Sequence, residues 1–231
     1  LELNPNQLEG IEIHREAWLH LFIEFDDPKE ADQKKKIKEL EKLAQKVGVW
    51  SKIFPDKISQ EQLHKLRGAA AILLQAQAAD TPVPVAEDVC VPIEKLAEFL
   101  EEAEATCHMA GVPASFWGHA GTGVVSFWPA LDLSKTGDRQ KLFKLQGSLF
   151  GAAMRLGGCP SAAAGDGRVR APYNQMVLGP ELHQLMLAVK KIFDPHNILN
   201  TGVKTATAED VKTHLRTHYS LSNFYDFLPR G

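Results

Sequence analysis

An α+β domain, with a mixed or antiparallel sheet and helices packed on one face, is the architecture this sequence predicts. Three observations predict it. Strand-like and helix-like stretches follow one another as strand, helix, strand, helix, strand, helix, hairpin, helix. At the centre, Trp117-Gly118-His119-Ala120-Gly121-Thr122-Gly123-Val124-Val125-Ser126-Phe127-Trp128 reads as a strand, a tight glycine-bearing turn and a returning strand. Finally, 231 residues that are 44% hydrophobic and 24% charged form an ordinary globular composition, large enough to bury one sizeable core or two small ones.

Leu1 to Gly10 is polar and turn-rich, as befits a linker or a frayed end. From Ala17 to Phe25, Trp18, His20, Phe22 and Glu24 alternate with Leu19, Leu21, Ile23 and Phe25, the period of a strand. Asp26-Asp27-Pro28 ends it. From Pro28 to about Val47 the apolar positions Ala31, Ile37, Leu40, Leu43, Ala44 and Val47 fall mostly at helical spacing, and Gly48 is the stop. Val49 to Phe54 reads as a second strand, ended by Pro55. Ser59 is the expected N-cap of a helix through His64, Leu66, Arg67 and Ala70 to about Gln77.

A Pro-Val-Pro stretch then excludes helix, because proline lacks the backbone donor and disfavours helix in the residue before it. Val85 to Val91 is a third strand, and Pro92 opens a helix from Ile93 to His108 that Gly111 and Pro113 close. Beyond the hairpin, Ser134 to Leu156 is a long amphipathic helix ended by Gly157-Gly158. Cys159 to Tyr173, rich in Ala and Gly, has the length of a functional loop. Pro180 begins a helix to Phe193, closed by Asp194-Pro195, and Thr205 to Gly231 holds one short helical stretch. There is no internal repeat of solenoid length.

Charge and cysteine usage narrow the function. The formal charge is −3 with both signs interspersed, so no electrostatic footprint for nucleic acid stands out, and Lys34-Lys35-Lys36 reads as a solvated helix face. Cys90, Cys107 and Cys159 are odd in number, widely spaced and without a CxxC pair, which argues against a disulfide framework or zinc knuckle. That pattern suits a reducing, cytoplasmic compartment. No apolar run reaches the roughly 18 residues of a membrane span, and no secretory signal pattern opens the chain. A first residue of Leu rather than Met raises the expectation of a piece of a longer protein.

Glycines at 118, 121 and 123 let backbone approach a ligand, so the hairpin reads as a site floor with His119 as its functional base; a hydrogen-bonded structural histidine is the other reading. Arg67, Arg168 and Arg170 carry guanidinium groups suited to bidentate pairing with a substrate carboxylate, or else are ordinary solvated arginines. The remaining histidines show no HExxH or HxH spacing, although His214 and His218 lie four apart. Trp18, Trp50, Trp117 and Trp128 read as core or interface anchors.

Three segments together carry a resemblance. They are Glu87-Asp88-Val89-Cys90-Val91-Pro92, Gly118-His119-Ala120-Gly121-Thr122-Gly123, and Phe193-Asp194-Pro195-His196-Asn197-Ile198-Leu199-Asn200-Thr201-Gly202-Val203-Lys204. In order and separation they resemble EDV-x-VP, GH-x-GDGN-x-H and FDP-xx-ILNPGK of the FAD-linked oxidases, the family of D-lactate dehydrogenase, the glycolate oxidase catalytic subunit and D-2-hydroxyglutarate dehydrogenase. Arg67 also fits, and the match runs from about residue 10 to residue 204. The resemblance implies a ferredoxin-like C-terminal cap domain over residues 1–204 with an extension at 205–231. It implies FAD carried by an N-terminal flavin-binding domain, in cis or as a separate subunit. A small organic acid is the implied substrate class, and Asn200 and Lys204 are implied flavin contacts.

The same resemblance exposes departures. Family dehydrogenases hold a divalent metal with two histidines of the second motif and a downstream Glu of GG-xxx-GEHG-x-G, and use the neighbouring His as base. Here His119 alone survives of those side chains: the second histidine position is Ser126, and Ala163 and Ala164 stand where Glu and His belong. Thr122 and Val124 replace the family Asp and Asn, and Ala71 and Ala86 stand where a D-2-hydroxyglutarate dehydrogenase has a substrate-binding Thr and Lys. One imidazole is not a catalytic zinc site, and alanine relays no proton, so no metal is expected and the 2-hydroxy-acid reaction is in doubt. A ligand supplied from elsewhere, such as His214 or Glu209 of the tail, would carry no signal in these motifs. Two functions follow: the cap of an FAD-dependent oxidoreductase, or a non-catalytic subunit or binding scaffold that keeps the fold.

Overall fold

The computed structural model describes residue 17, residues 19–65 and residues 83–217. The chain divides into two compact units, Leu1–Leu73 and Leu74–Gly231.

In the first unit, helix α1 spans Glu30–Val47. Glu30 and Asp32 lie in its first turn, where carboxylates complement the helix dipole. Its end is a Schellman motif: Gly48, at φ 72°, donates to Gln45 O at 3.2 Å, and Val49 donates to Ala44 O at 3.0 Å. The lysine cluster is solvated as expected, with Lys34 paired to Glu30 and Lys36 to Asp27. A second helix, α2, covers 57–65. Its cap is Asp56, not Ser59, because Asp56 Oδ1 accepts from the Ser59 N–H at 2.8 Å. Leu66, Arg67, Ala71 and the rest of that expected helix lie outside the described residues, as do His14, Trp18 and His218.

Two expected strands are not formed by the described residues. Among the described residues of Ala17–Phe25, and again over Val49–Phe54, the backbone makes no ladder, and Leu21, Phe22, Ile23, Val49 and Trp50 are exposed. Period-two alternation becomes a strand only when a neighbour takes up its backbone donors and acceptors, and an isolated strand is marginal.

The second unit holds the sheet. Strand β1 is Ala86–Cys90, β2 is Ala114–His119 and β3 is Val124–Pro129, in the order β1-β3-β2 and antiparallel throughout. Helix α3, Leu96–Met109, follows a 3-10 turn at Ile93–Lys95, and α4 spans Thr136–Arg155. One face of the sheet meets these helices. Ala86, Val89, Val125 and Phe127 from the strands pack with Phe99, Ala103, Leu149 and Phe150. Phe127, 2% exposed, meets Phe99 edge-on at 5.9 Å and Phe116 in a stack at 5.7 Å, favourable aromatic arrangements. A separate cluster of Val83, Val85, Cys107, Val112, Leu131, Leu133, Leu142 and Leu145 makes a second small core.

The hairpin forms in the predicted register, with Ser115 opposite Trp128 and His119 opposite Val124. Its turn requires Gly123: φ is 68°, and a Cβ there would lie 2.0 Å from Val91 O. Helix α5, Asn174–Phe193, is broken at Gly179 just before Pro180, so the predicted Pro180 start is the start of its longer piece. A capping box between Thr207 and Asp210 opens α6, Ala208–Thr213.

Candidate functional site

On the sheet face turned away from α3 and α4, His119 pairs with Val124, Val124 with Cys90, and Cys90 bridges to Cys159. Directly paired residues share a face, so these four form one row across the sheet. His119 ends β2 and is exposed, with its carbonyl accepting from Thr122 Oγ1 at 3.2 Å. Trp117 meets Trp128 edge-on at 4.6 Å on the same face.

The register of β1 shifts between Ala86 and Val89, and Asp88 takes φ 61° in that bulge. Its backbone N–H donates to the buried Ser126 Oγ at 3.0 Å. Its carboxylate, itself buried, reaches across to the loop after α4. Oδ2 accepts from the N–H groups of Ala162 at 2.9 Å and Ala164 at 2.7 Å, and Oδ1 accepts from Ala163 at 3.0 Å. Three successive backbone donors converging on one anion make a nest. Arg170 closes it from the far side, donating to Glu87 O with its guanidinium 3.8 Å from Asp88 Oδ2. The loop meets β1 closely because residue 158 is glycine, where a Cβ would lie 2.1 Å from Cys90 O.

A second loop, after α5, docks on the first. Lys204 donates its N–H to Gly167 O at 2.7 Å, and Asn174 Nδ2 donates to Lys204 O at 3.0 Å. Arg168 Nε donates to Thr201 O at 2.7 Å, and the Lys204 ammonium pairs with Asp166. Burial works to raise the Asp166 carboxyl, but Lys204, with help from Ser161 and Asn174, holds it below the usual carboxylate range. This second loop has its own anchor in buried Asp194, which accepts from Ile198 and Leu199 N–H, both at 2.9 Å, and pairs with Lys190 at 2.5 Å. Lys190 and the two amides hold that carboxyl low. Beside the junction lies a cleft of about 160 Å³ lined by Val85, Glu87, Phe150, Asp166, Arg168 and Arg170.

The structure therefore gathers Arg168, Arg170 and Lys204 at one loop junction, whereas His119 sits at the hairpin and Asn200 on an exposed turn at φ 47°. Arg67 lies outside the described residues. His214 Nδ1 lies 2.8 Å from Asp210 O, and Glu209 pairs with Lys212, both within one turn of α6. Sequence reading missed the part played by Asp88, which stood in the first motif without a role.

A family model for the C-terminal domain of FAD-linked oxidases matches residues 3–203. The chain belongs to this family. Among the relatives of this FAD-linked oxidase domain, D-2-hydroxyglutarate dehydrogenase of Haemophilus influenzae is 35% identical over 159 residues, 68% of this chain and 15% of that protein. D-lactate dehydrogenase of Archaeoglobus fulgidus is 31% identical over 191 residues, 82% of this chain and 40% of that protein. Glycolate oxidase subunit GlcD of Bacillus subtilis is 29% identical over 144 residues, 62% of this chain and 31% of that protein. The matches thus span between 15% and 40% of the length of these relatives. Among the described residues no helix is long and apolar enough to cross a membrane.

At the motif positions, the described residues of this FAD-linked oxidase domain do not fit the divalent metal that the family resemblance implies. Ser126 Oγ is taken up by the bulge N–H, the Ala163 and Ala164 side chains are methyl groups, and their backbone N–H groups point at Asp88. Among the described residues no group of three or more His, Cys, Asp or Glu side chains is placed to hold a metal ion.

Proposed function

We propose that this chain is the cap portion of an FAD-dependent oxidoreductase acting on a small organic acid without the family's metal. The cap is residues 1–204, followed by an extension over 205–231. A flavin-binding domain, in cis or as a separate subunit, seats against the apolar surface of α5 and the loop after it, where Leu182, Leu185, Ile192, Phe193, Ile198 and Leu199 are exposed. The flavin supplies the hydride acceptor, which is the cofactor's own chemistry. Asn200 borders this surface and contacts the flavin side; Lys204, paired with Asp166, orients the loop toward it. Arg168 and the cleft beside it receive the substrate carboxylate, with Arg170 holding the loop in shape. His119 serves as the base at the hairpin tip. The cysteine pattern supports a cytoplasmic setting.

The observation that carries the proposal is the contrast between a rebuilt metal loop and an intact, docked tail motif. The loop keeps a defined shape through Asp88 although its ligands are gone, and the tail motif is held against it by three contacts, with a fourth from Asn174 at the start of α5. The missing ligands also favour a second reading, a non-catalytic subunit or scaffold. The test uses the complete gene product that contains this chain, treated with a chelator and recorded for bound flavin. A panel of D- and L-2-hydroxy acids is then added without oxygen. Bleaching that persists with chelator is expected; flavin that no acid reduces, or no flavin even when the product is isolated together with its partner subunits, supports the scaffold instead.

A further inference from the structure

Two of the three cysteines face each other across a β-bridge at the rim of the candidate site. Cys90 N–H donates to Cys159 O at 3.0 Å and Cys159 N–H donates to Cys90 O at 2.9 Å. Reciprocal bonds of this kind define the hydrogen-bonded antiparallel pair, whose Cα atoms lie about 5.5 Å apart with both side chains on the same face. Disulfides span Cα separations of about 4.4–6.8 Å, which this pairing meets, and Cβ separations of about 3.5–4.5 Å, shorter than the roughly 5.5 Å of a hydrogen-bonded pair, so closing the bond draws the loop strand slightly toward β1. Both residues are half-buried and free, and Cys107 is buried in the second core.

We propose that Cys90 and Cys159 are a redox-active dithiol that closes to an intramolecular disulfide when a hydroperoxide is present, tying the loop after α4 covalently to β1. Cys159 attacks first: its thiolate sulfur bonds to one peroxide oxygen, the O–O bond breaks, and alkoxide leaves to take up a proton as alcohol. The resulting sulfenic acid is attacked at sulfur by the Cys90 thiolate. An S–S bond forms, the S–O bond breaks, and hydroxide leaves as water. Two thiols and one hydroperoxide become one disulfide, one alcohol and one water, with two electrons passing from the sulfurs to the peroxide.

The order of attack has a physical basis. Burial pushes the Cys90 thiol up, the backbone hydrogen bond with Cys159 partly offsets this, and the nearby charges of Cys159 and Asp88 add to the rise. Cys90 therefore suits the resolving role. The bond would fix the row that also carries Val124 and His119, and with it the first residue of the loop that Asp88 and Arg170 shape. This inference is independent of any flavin and of the proposed activity.

Trypsin separates the three cysteines into peptides 68–95, 96–135 and 156–168. The chain is treated with a slight excess of hydrogen peroxide, its remaining thiols are alkylated, and it is digested without reductant. The expected product is 68–95 joined to 156–168, lighter by two hydrogen atoms than the sum of the two, with 96–135 alkylated. A thiol reductant restores the separate peptides, and neither Cys90→Ser nor Cys159→Ser gives the linked species. Recovery of 68–95 and 156–168 each alkylated, each oxidised singly, or linked between two copies of the chain overturns the proposal.

Discussion

Two loops flank the candidate site, and each is organised by a buried aspartate, but they reach their partners over different distances in sequence. Asp194 binds amides four and five residues ahead of it and a lysine four residues behind. Asp88 binds amides 74 to 76 residues away and sits in a strand bulge to do so. The first device is local, so its loop keeps its shape as long as α5 ends where it does. The second is a tertiary contact, so its loop exists only when β1, β3 and α4 are already assembled. A loop of the first kind is a property of a segment, and one of the second kind is a property of the fold.

Asp88→Ala is the largest break in this contrast. It leaves three backbone donors and Arg170 without their anion, and a loss of about 2–4 kcal/mol is expected from removing a buried, charge-assisted acceptor. Urea unfolding followed by tryptophan fluorescence measures it; an unchanged midpoint would mean that the loop is held by something other than this carboxylate. Ser126→Ala removes only the acceptor of the bulge N–H, for which about 1–2 kcal/mol is expected. The same titration reads it, and a loss equal to that of Asp88→Ala would make the bulge, not the nest, the main support.

Acid gives the smallest effect and loosens the second loop together with its junction to the first. Asp194 and Asp166 both ionise at lower pH in the folded chain than in the unfolded one. Their contribution is therefore complete above about pH 4, where an unfolded aspartate ionises, and is lost as the pH falls from there through the folded values. Amide exchange at Ile198, Leu199 and Lys204 is expected to quicken in that window before the helices α3 and α4 lose protection. Simultaneous loss at all of these positions would show that the second loop is no local unit.

The same division governs what the sequence made legible. Helices α1, α3 and α4 follow from apolar spacing and glycine stops, the hairpin from its glycines, and the helix start at Pro180 from proline chemistry, all from signals that are local in the chain. Alternation at Ala17–Phe25 and Val49–Phe54 looked equally local but depended on a neighbouring strand, which alternation cannot supply. At the site, the motifs marked His119, Asn200 and Lys204, and guanidinium chemistry marked Arg168 and Arg170, as worth attention. Asp88 carried no signal of its role, because nothing near it in sequence names Ala162–Ala164 as partners. Cys90 and Cys159 were set aside for their wide spacing, yet the fold returns them to one bridge.

The bare hydrocarbon along α5 also decides how the chain behaves on the bench. A stripe running from Leu182 to Phe193 and on to Leu199 stands in water at a cost that grows with its apolar area, roughly 25 cal/mol for each Å². Ammonium sulfate raises that cost and a mild detergent lowers it. Handled by itself, this polypeptide should precipitate early in a salting-out series and bind tightly to a phenyl column, and a partner that covers α5 should move it later in the first and release it from the second.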